Sequence, residues 1–67
     1  MNETALKIEM LKHNYTVPSL ANKIGIGKKA FYAKMRGDSQ FKQVEIKGIK
    51  TALSLTDEQT TEIFFTD

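Results

Sequence analysis

The chain has 67 residues, 27% charged and 40% hydrophobic, with a net charge of +2 and no cysteine. That length suits one domain, and the lack of thiols excludes a disulfide framework and a thiolate metal site. No apolar run approaches the roughly 20 residues of a membrane-spanning helix, and MNETALKIEM has no basic flank followed by an apolar segment, so a cytoplasmic address is expected.

In chain order, a first helix is expected over about Glu3 to His13. Its apolar residues Leu6, Ile8, Met10 and Leu11 are spread too widely for one clean face. Asn14 suits a left-handed residue after that helix, and Tyr15 returns to the core. Thr16 is placed to cap a second helix and Pro18 falls in its first turn, where a missing N–H does no harm. Val17, Leu20, Ala21 and Ile24 then recur at i, i+3, i+4 and i+7, a single buried stripe. Gly25 stops this helix because glycine takes positive φ at no steric cost, and Ile26 pins the turn.

Gly27 is a weak cap for a third helix over Lys28 to Arg36, with Phe31 and Met35 as its buried edge and Gly37 as its stop. Phe41 is expected to anchor the following loop. A fourth helix, about Gln43 to Leu53, carries Ile46, Ile49 and Leu53 on one face. A fifth follows Thr56, where Thr56 and Gln59 have capping-box spacing. No repeat, low-complexity tract or strand-like alternation interrupts this pattern. The expectation is an all-α, compact five-helix bundle forming one domain over residues 1–67. A single core of this size is marginal, so a partner subunit or a bound nucleic acid is expected to add stability.

Charge is uneven along the chain: +7 from Lys12 to Lys50, −4 after it, and −1 before it. A basic centre between acidic ends suits one polyanion-binding face. On the third helix, the residues opposite Phe31 and Met35 are Lys29, Tyr32, Ala33 and Arg36, one outward stripe. Lys28 and Lys29 occupy the first turn, where the helix dipole disfavours cations by about 0.3–1 kcal/mol each. Local stability favours Asp or Glu there, so this placement makes sense if an external anion meets the ammonium groups. Two tolerated surface lysines are the plain alternative.

Tyr15-Thr16, the Leu20-Ala21 pair, the Ile24-Gly25-Ile26-Gly27 turn, Phe31, Met35 and Gly37 together resemble the helix-turn-helix of Cro/C1-type phage repressors. The segment DSQFKQVEIKGIKTALSLTDEQTTEIFF is similar to the last two helices of small repressor-like domains from phages of Gram-positive bacteria, so the likeness covers nearly the whole chain. The resemblance implies a lambda-repressor-like DNA-binding domain. Its third helix would enter the major groove of an operator and its second would lie across the backbone. By the same resemblance, Lys28 and Lys29 donate to guanine or phosphate, and Arg36 reaches a phosphate or base edge. Tyr32 meets a phosphate through its hydroxyl or a base through its ring, and Ala33 meets a thymine methyl. Lys34, Gln40, Lys42 and Gln43 are implied phosphate contacts, with Asn14 and Thr16 weaker ones. Val17 stands where these repressors often carry glutamine, Gly27 where Ser or Thr usually caps, and Tyr32 where a small residue is common.

Other chemistries find little support. Gly27-Lys28-Lys29 lacks the earlier glycine, the preceding strand and the Ser or Thr of a phosphate loop. His13 is the only histidine and has no partner ligands in the sequence, and Ser19, Ser39 and Ser54 have no evident base. Asp57 and Glu58 sit where a helix N-terminus favours carboxylates. The sequence thus predicts no enzyme, cofactor, metal or small-molecule ligand. Ile63, Phe64 and Phe65 either complete the core or face a partner. A homodimer through the fifth helix would set two third helices about 34 Å apart, one turn of B-DNA. The expected function is a DNA-binding transcriptional regulator of repressor type. The rival is a protein-interaction module, an anti-repressor or modulator, binding another regulator through Phe64 and Phe65 or through the third helix.

Overall fold

The computed structural model describes residues 1–65, and among these the only regular elements are five α-helices. They are α1 (Glu3–Lys12), α2 (Val17–Ile24), α3 (Lys28–Arg36), α4 (Gln43–Ala52) and α5 (Asp57–Phe64). None is long and apolar enough to cross a membrane.

Each boundary has a local cause. Asn2 caps α1 by accepting the Ala5 N–H at 3.0 Å, and its own N–H donates to the Ile63 carbonyl at 2.7 Å, tying the start of α1 to α5. Helix α1 ends at His13, and Asn14 takes φ 60°, the left-handed turn that a short polar side chain tolerates. Thr16 and Ser19 cap α2 reciprocally: the Thr16 hydroxyl accepts the Ser19 N–H at 3.2 Å, and Ser19 Oγ accepts the Thr16 N–H at 2.9 Å. Gly25 at φ 80° closes α2, after which the Ile26 N–H donates to the Ala21 carbonyl at 3.0 Å. Gly37 at φ 88° closes α3, and the Asp38 N–H donates to the Ala33 carbonyl at 2.9 Å. At the end of α4 the left-handed position falls to Ser54, φ 51°. Thr56 and Gln59 cap α5 as their spacing implies.

Leu6, Leu20, Phe31, Ile49 and Leu53 are all 0% exposed, and Met10, Ala21, Met35, Leu55 and Ile63 complete the core. Helix α2 packs on both α3 and α4, while α5 closes the bundle against α1 and α4. Gly48 lets α2 and α4 approach closely: a Cβ there would lie 3.0 Å from Ile24 Cγ2. Phe41 does anchor the loop after α3, stacking edge-on between Phe31 (centroids 5.2 Å apart) and Phe64 (5.5 Å). Helix α1 buries Leu6 and Met10 and leaves Ile8 and Leu11 in solvent. Helix α3 lies at the surface, seated on the bundle by its buried Phe31 and Met35 and by the Lys34 side chain, which pairs with Glu45 of α4.

Candidate nucleic-acid interface

Helix α3 is a two-sided element because its apolar residues, Phe31 and Met35, are one turn apart and everything opposite them is polar or small. Lys28, Lys29 and Arg36 are exposed, Tyr32 is 44% exposed, and Ala33 is half-buried. The outward stripe read from the sequence is thus assembled on one surface, with Ala33 as its recessed member. Gly27 gives α3 no side-chain cap, and no acid occupies its first turn. The Lys28 and Lys29 ammonium groups therefore stand unopposed at the positive end of the helix dipole.

Electrostatic pairing sorts the basic residues. Among the described residues, Lys7 pairs with Glu3, Lys12 with Glu9, Lys34 with Glu45, Arg36 with Asp38, and Lys50 with Asp57. The basic side chains outside these ion pairs are Lys23, Lys28, Lys29, Lys42 and Lys47, all between the end of α2 and the middle of α4, with Lys42 near enough to Glu45 for its charge to act on that carboxylate. Arg36 is held from one side: its Nε and Nη2 both donate to Asp38 Oδ2, at 3.1 and 3.0 Å. Gln40, Lys42 and Gln43 are exposed around the end of the loop and the start of α4. Asn14 and Thr16 are exposed at the α1–α2 bend. The Thr16 hydroxyl already donates to Ser19 Oγ at 3.1 Å, so a phosphate contact there exchanges that bond.

Lys34 requires a correction. It was expected at a flanking phosphate, but its side chain is 12% exposed and its Nζ donates to Glu45 Oε1 at 2.6 Å, beneath the loop. An ammonium committed to a buried carboxylate is not available to a polyanion, because leaving would strand Glu45 without its counter-charge. Burial alone would raise the Glu45 carboxyl pKa. The Lys34 hydrogen bond, the Lys42 N–H and the charges of both lysines outweigh that and hold it below its ordinary value. Asp57 is also held low, by the hydrogen bond and charge of Lys50.

Ile63 is corrected as well. It is 2% exposed and belongs to the core, so it offers nothing to a second subunit. Phe64 is half-buried against Phe41, and only Phe65, 61% exposed, projects from the C-terminal end of α5. Phe65 borders a cleft of about 330 Å³ whose apolar walls are Met1, Phe41, Ile46 and Phe64.

Comparison of the chain with protein-family models, with curated proteins and with solved structures gives no match. The chemistry of this surface is therefore read from its geometry and charge. Sequence reasoning missed Asp38 and Glu45, the two acids that restrain Arg36 and Lys34. For Glu45 a partial signal was present: Lys34 follows Phe31 by three residues and precedes Met35 by one, and Glu45 precedes Ile49 by one turn, so Lys34 and Glu45 lie beside the buried edges of their helices, although nothing local pairs them.

Proposed function

We propose that the protein is a sequence-specific DNA-binding transcriptional regulator that places α3 in the major groove of an operator. One observation carries this reading. The basic side chains outside any ion pair among the described residues all fall between Lys23 and Lys47, with Lys28 and Lys29 at the uncapped start of an exposed helix. A proud helix of this size fits the major groove, and its unopposed cations suit phosphate oxygens or guanine O6 and N7. In this reading Lys28, Lys29, Tyr32 and Arg36 face the groove, Ala33 allows close approach, and Gln40, Lys42 and Gln43 grip the backbone. The resemblance to Cro/C1-type repressors supports the same assignment and a mode of action in which operator occupancy blocks transcription.

The test is selection of binding sites from random duplexes, followed by salt-titrated affinity measurements on the selected site. A selected consensus and a steep loss of affinity with salt support the reading; recovery of no preferred sequence refutes sequence-specific binding.

The exposure of Phe65 beside an apolar cleft favours a second component, self-association through the end of α5. The same surface serves the rival reading, a modulator of another regulator. A largely apolar protein contact holds its affinity as salt rises, whereas DNA binding does not.

A further inference from the structure

Among the described residues, the Lys34–Glu45 pair is the one ion pair with both partners withdrawn from solvent, at 12% and 7% side-chain exposure. Each of the other four leaves at least one partner more than half exposed. Apolar residues of similar volume often serve stability as well as a buried pair, because both charges must lose their hydration. What such a pair supplies in addition is direction. Glu45 Oε1 accepts from Lys34 Nζ and, at 2.8 Å, from the Lys42 backbone N–H. One carboxylate oxygen thus joins the second half of α3, the end of the 37–42 loop and the first turn of α4. The other end of that loop is fixed by Gly37 and by the Asp38 N–H on the Ala33 carbonyl, and Phe41, next to Lys42, is packed edge-on against Phe31. Lys34 Nζ lies 6.0 Å from the centre of the Phe41 ring, so the pair and the aromatic anchor brace the same loop.

We propose that Lys34 and Glu45 are positioning residues for DNA binding: their pair locks α3 to the 37–42 loop so that the α3 face and the Gln40, Lys42 and Gln43 edge engage one duplex together. This rests on the DNA-binding reading above. Neither side chain touches DNA; they act through the placement of Lys42 and its neighbours.

The test uses the double variant Lys34→Met/Glu45→Met, which removes both buried charges, strands neither and leaves the net charge at +2. Affinity for the selected operator, on a duplex of about three helical turns, is measured against salt in this variant and in the native chain, each with and without Lys42→Ala. In the native chain Lys42→Ala lowers the salt slope by about one and the affinity about five- to tenfold at 0.1 M salt, the effect of one lost phosphate contact. In the double variant, Lys42→Ala changes affinity by less than about twofold, because Lys42 is no longer delivered to the backbone. Circular dichroism establishes that the variants are folded; should the methionine pair fail to fold, Lys34→Met/Glu45→Gln makes the same comparison. An equal cost of Lys42→Ala in both backgrounds, or a double variant that binds as tightly as the native chain, overturns the proposal. A native chain that binds no duplex at low salt overturns the DNA-binding reading itself.

Discussion

Replacing Asp38 by Asn should tighten DNA binding. In the free protein the Asp38 carboxylate holds the Arg36 guanidinium through two bonds of 3.1 and 3.0 Å to a single oxygen. An incoming phosphate must displace that carboxylate or tolerate it within the ~8 Å over which charges interact at physiological salt. The side chains are 56% and 63% exposed, so the pair itself stabilises the fold by only about 0.2–1 kcal/mol. Releasing Arg36 converts that amount into about 1.5- to 5-fold in affinity, at about 1.4 kcal/mol per tenfold. Removing the repulsive carboxylate beside the phosphates raises the expected total to roughly 3- to 10-fold at low salt. The assay is fluorescence anisotropy of labelled operator across a salt series, with a thermal melt in parallel. The gain should shrink as salt rises, and the melt should show a loss of no more than about 1 kcal/mol. Unchanged or weaker binding by Asp38→Asn would show that the carboxylate aims Arg36 rather than competing for it, and would refute the reasoning.

Lys29→Ala and Arg36→Ala should each weaken operator binding by about 1–3 kcal/mol while leaving helicity and melting nearly unchanged; native affinity in both variants would remove α3 from the interface. Phe65→Ser should abolish any self-association seen by sedimentation and, at concentrations where the native chain is monomeric, leave the melting curve in place, whereas Ile63→Ala, in the core, should cost about 2–5 kcal/mol of stability. Equal losses from the two would contradict the placement of these side chains. Glu45 has a folded pKa below its ordinary 4.5, so its contribution to stability is complete above that value and is lost as pH falls through the lowered one. Melts from about pH 6 down to about pH 3 should therefore show a steeper loss for the native chain than for Glu45→Gln, and parallel curves would deny the pair its coupling.

Helix α3 was legible because glycines bracket it: Gly27 starts it, Gly37 stops it, and Phe31 and Met35 declare the inner edge. The caps of α2 and α5 were legible at Thr16 and Thr56 for the same local reason, although Ser19 as the reciprocal partner of Thr16 was not foreseen. Helix α1 was opaque about its inward face, since Leu6 and Met10 are buried while Ile8 and Leu11, equally apolar, are 47% and 76% exposed. Only tertiary packing decides that question. The site followed the same division. Lys28, Lys29 and Arg36 are on the surface where helical spacing puts them. Lys34 was misplaced because its partner, Glu45, lies eleven residues away on another helix. Ile63 was left between core and partner for a similar reason: three adjacent apolar residues look alike in sequence, and the bundle buries one, half-buries the next and exposes the third.

The central claim, that exposed cations on and beside α3 meet a phosphate backbone, is tested most directly by the salt dependence of DNA affinity in the native chain. If Lys28, Lys29, Arg36 and Lys42 each neutralise one phosphate, a plot of log affinity against log salt should fall with a slope of about −3.6 per protomer. A slope near zero, or no binding to any duplex at low ionic strength, would contradict the account.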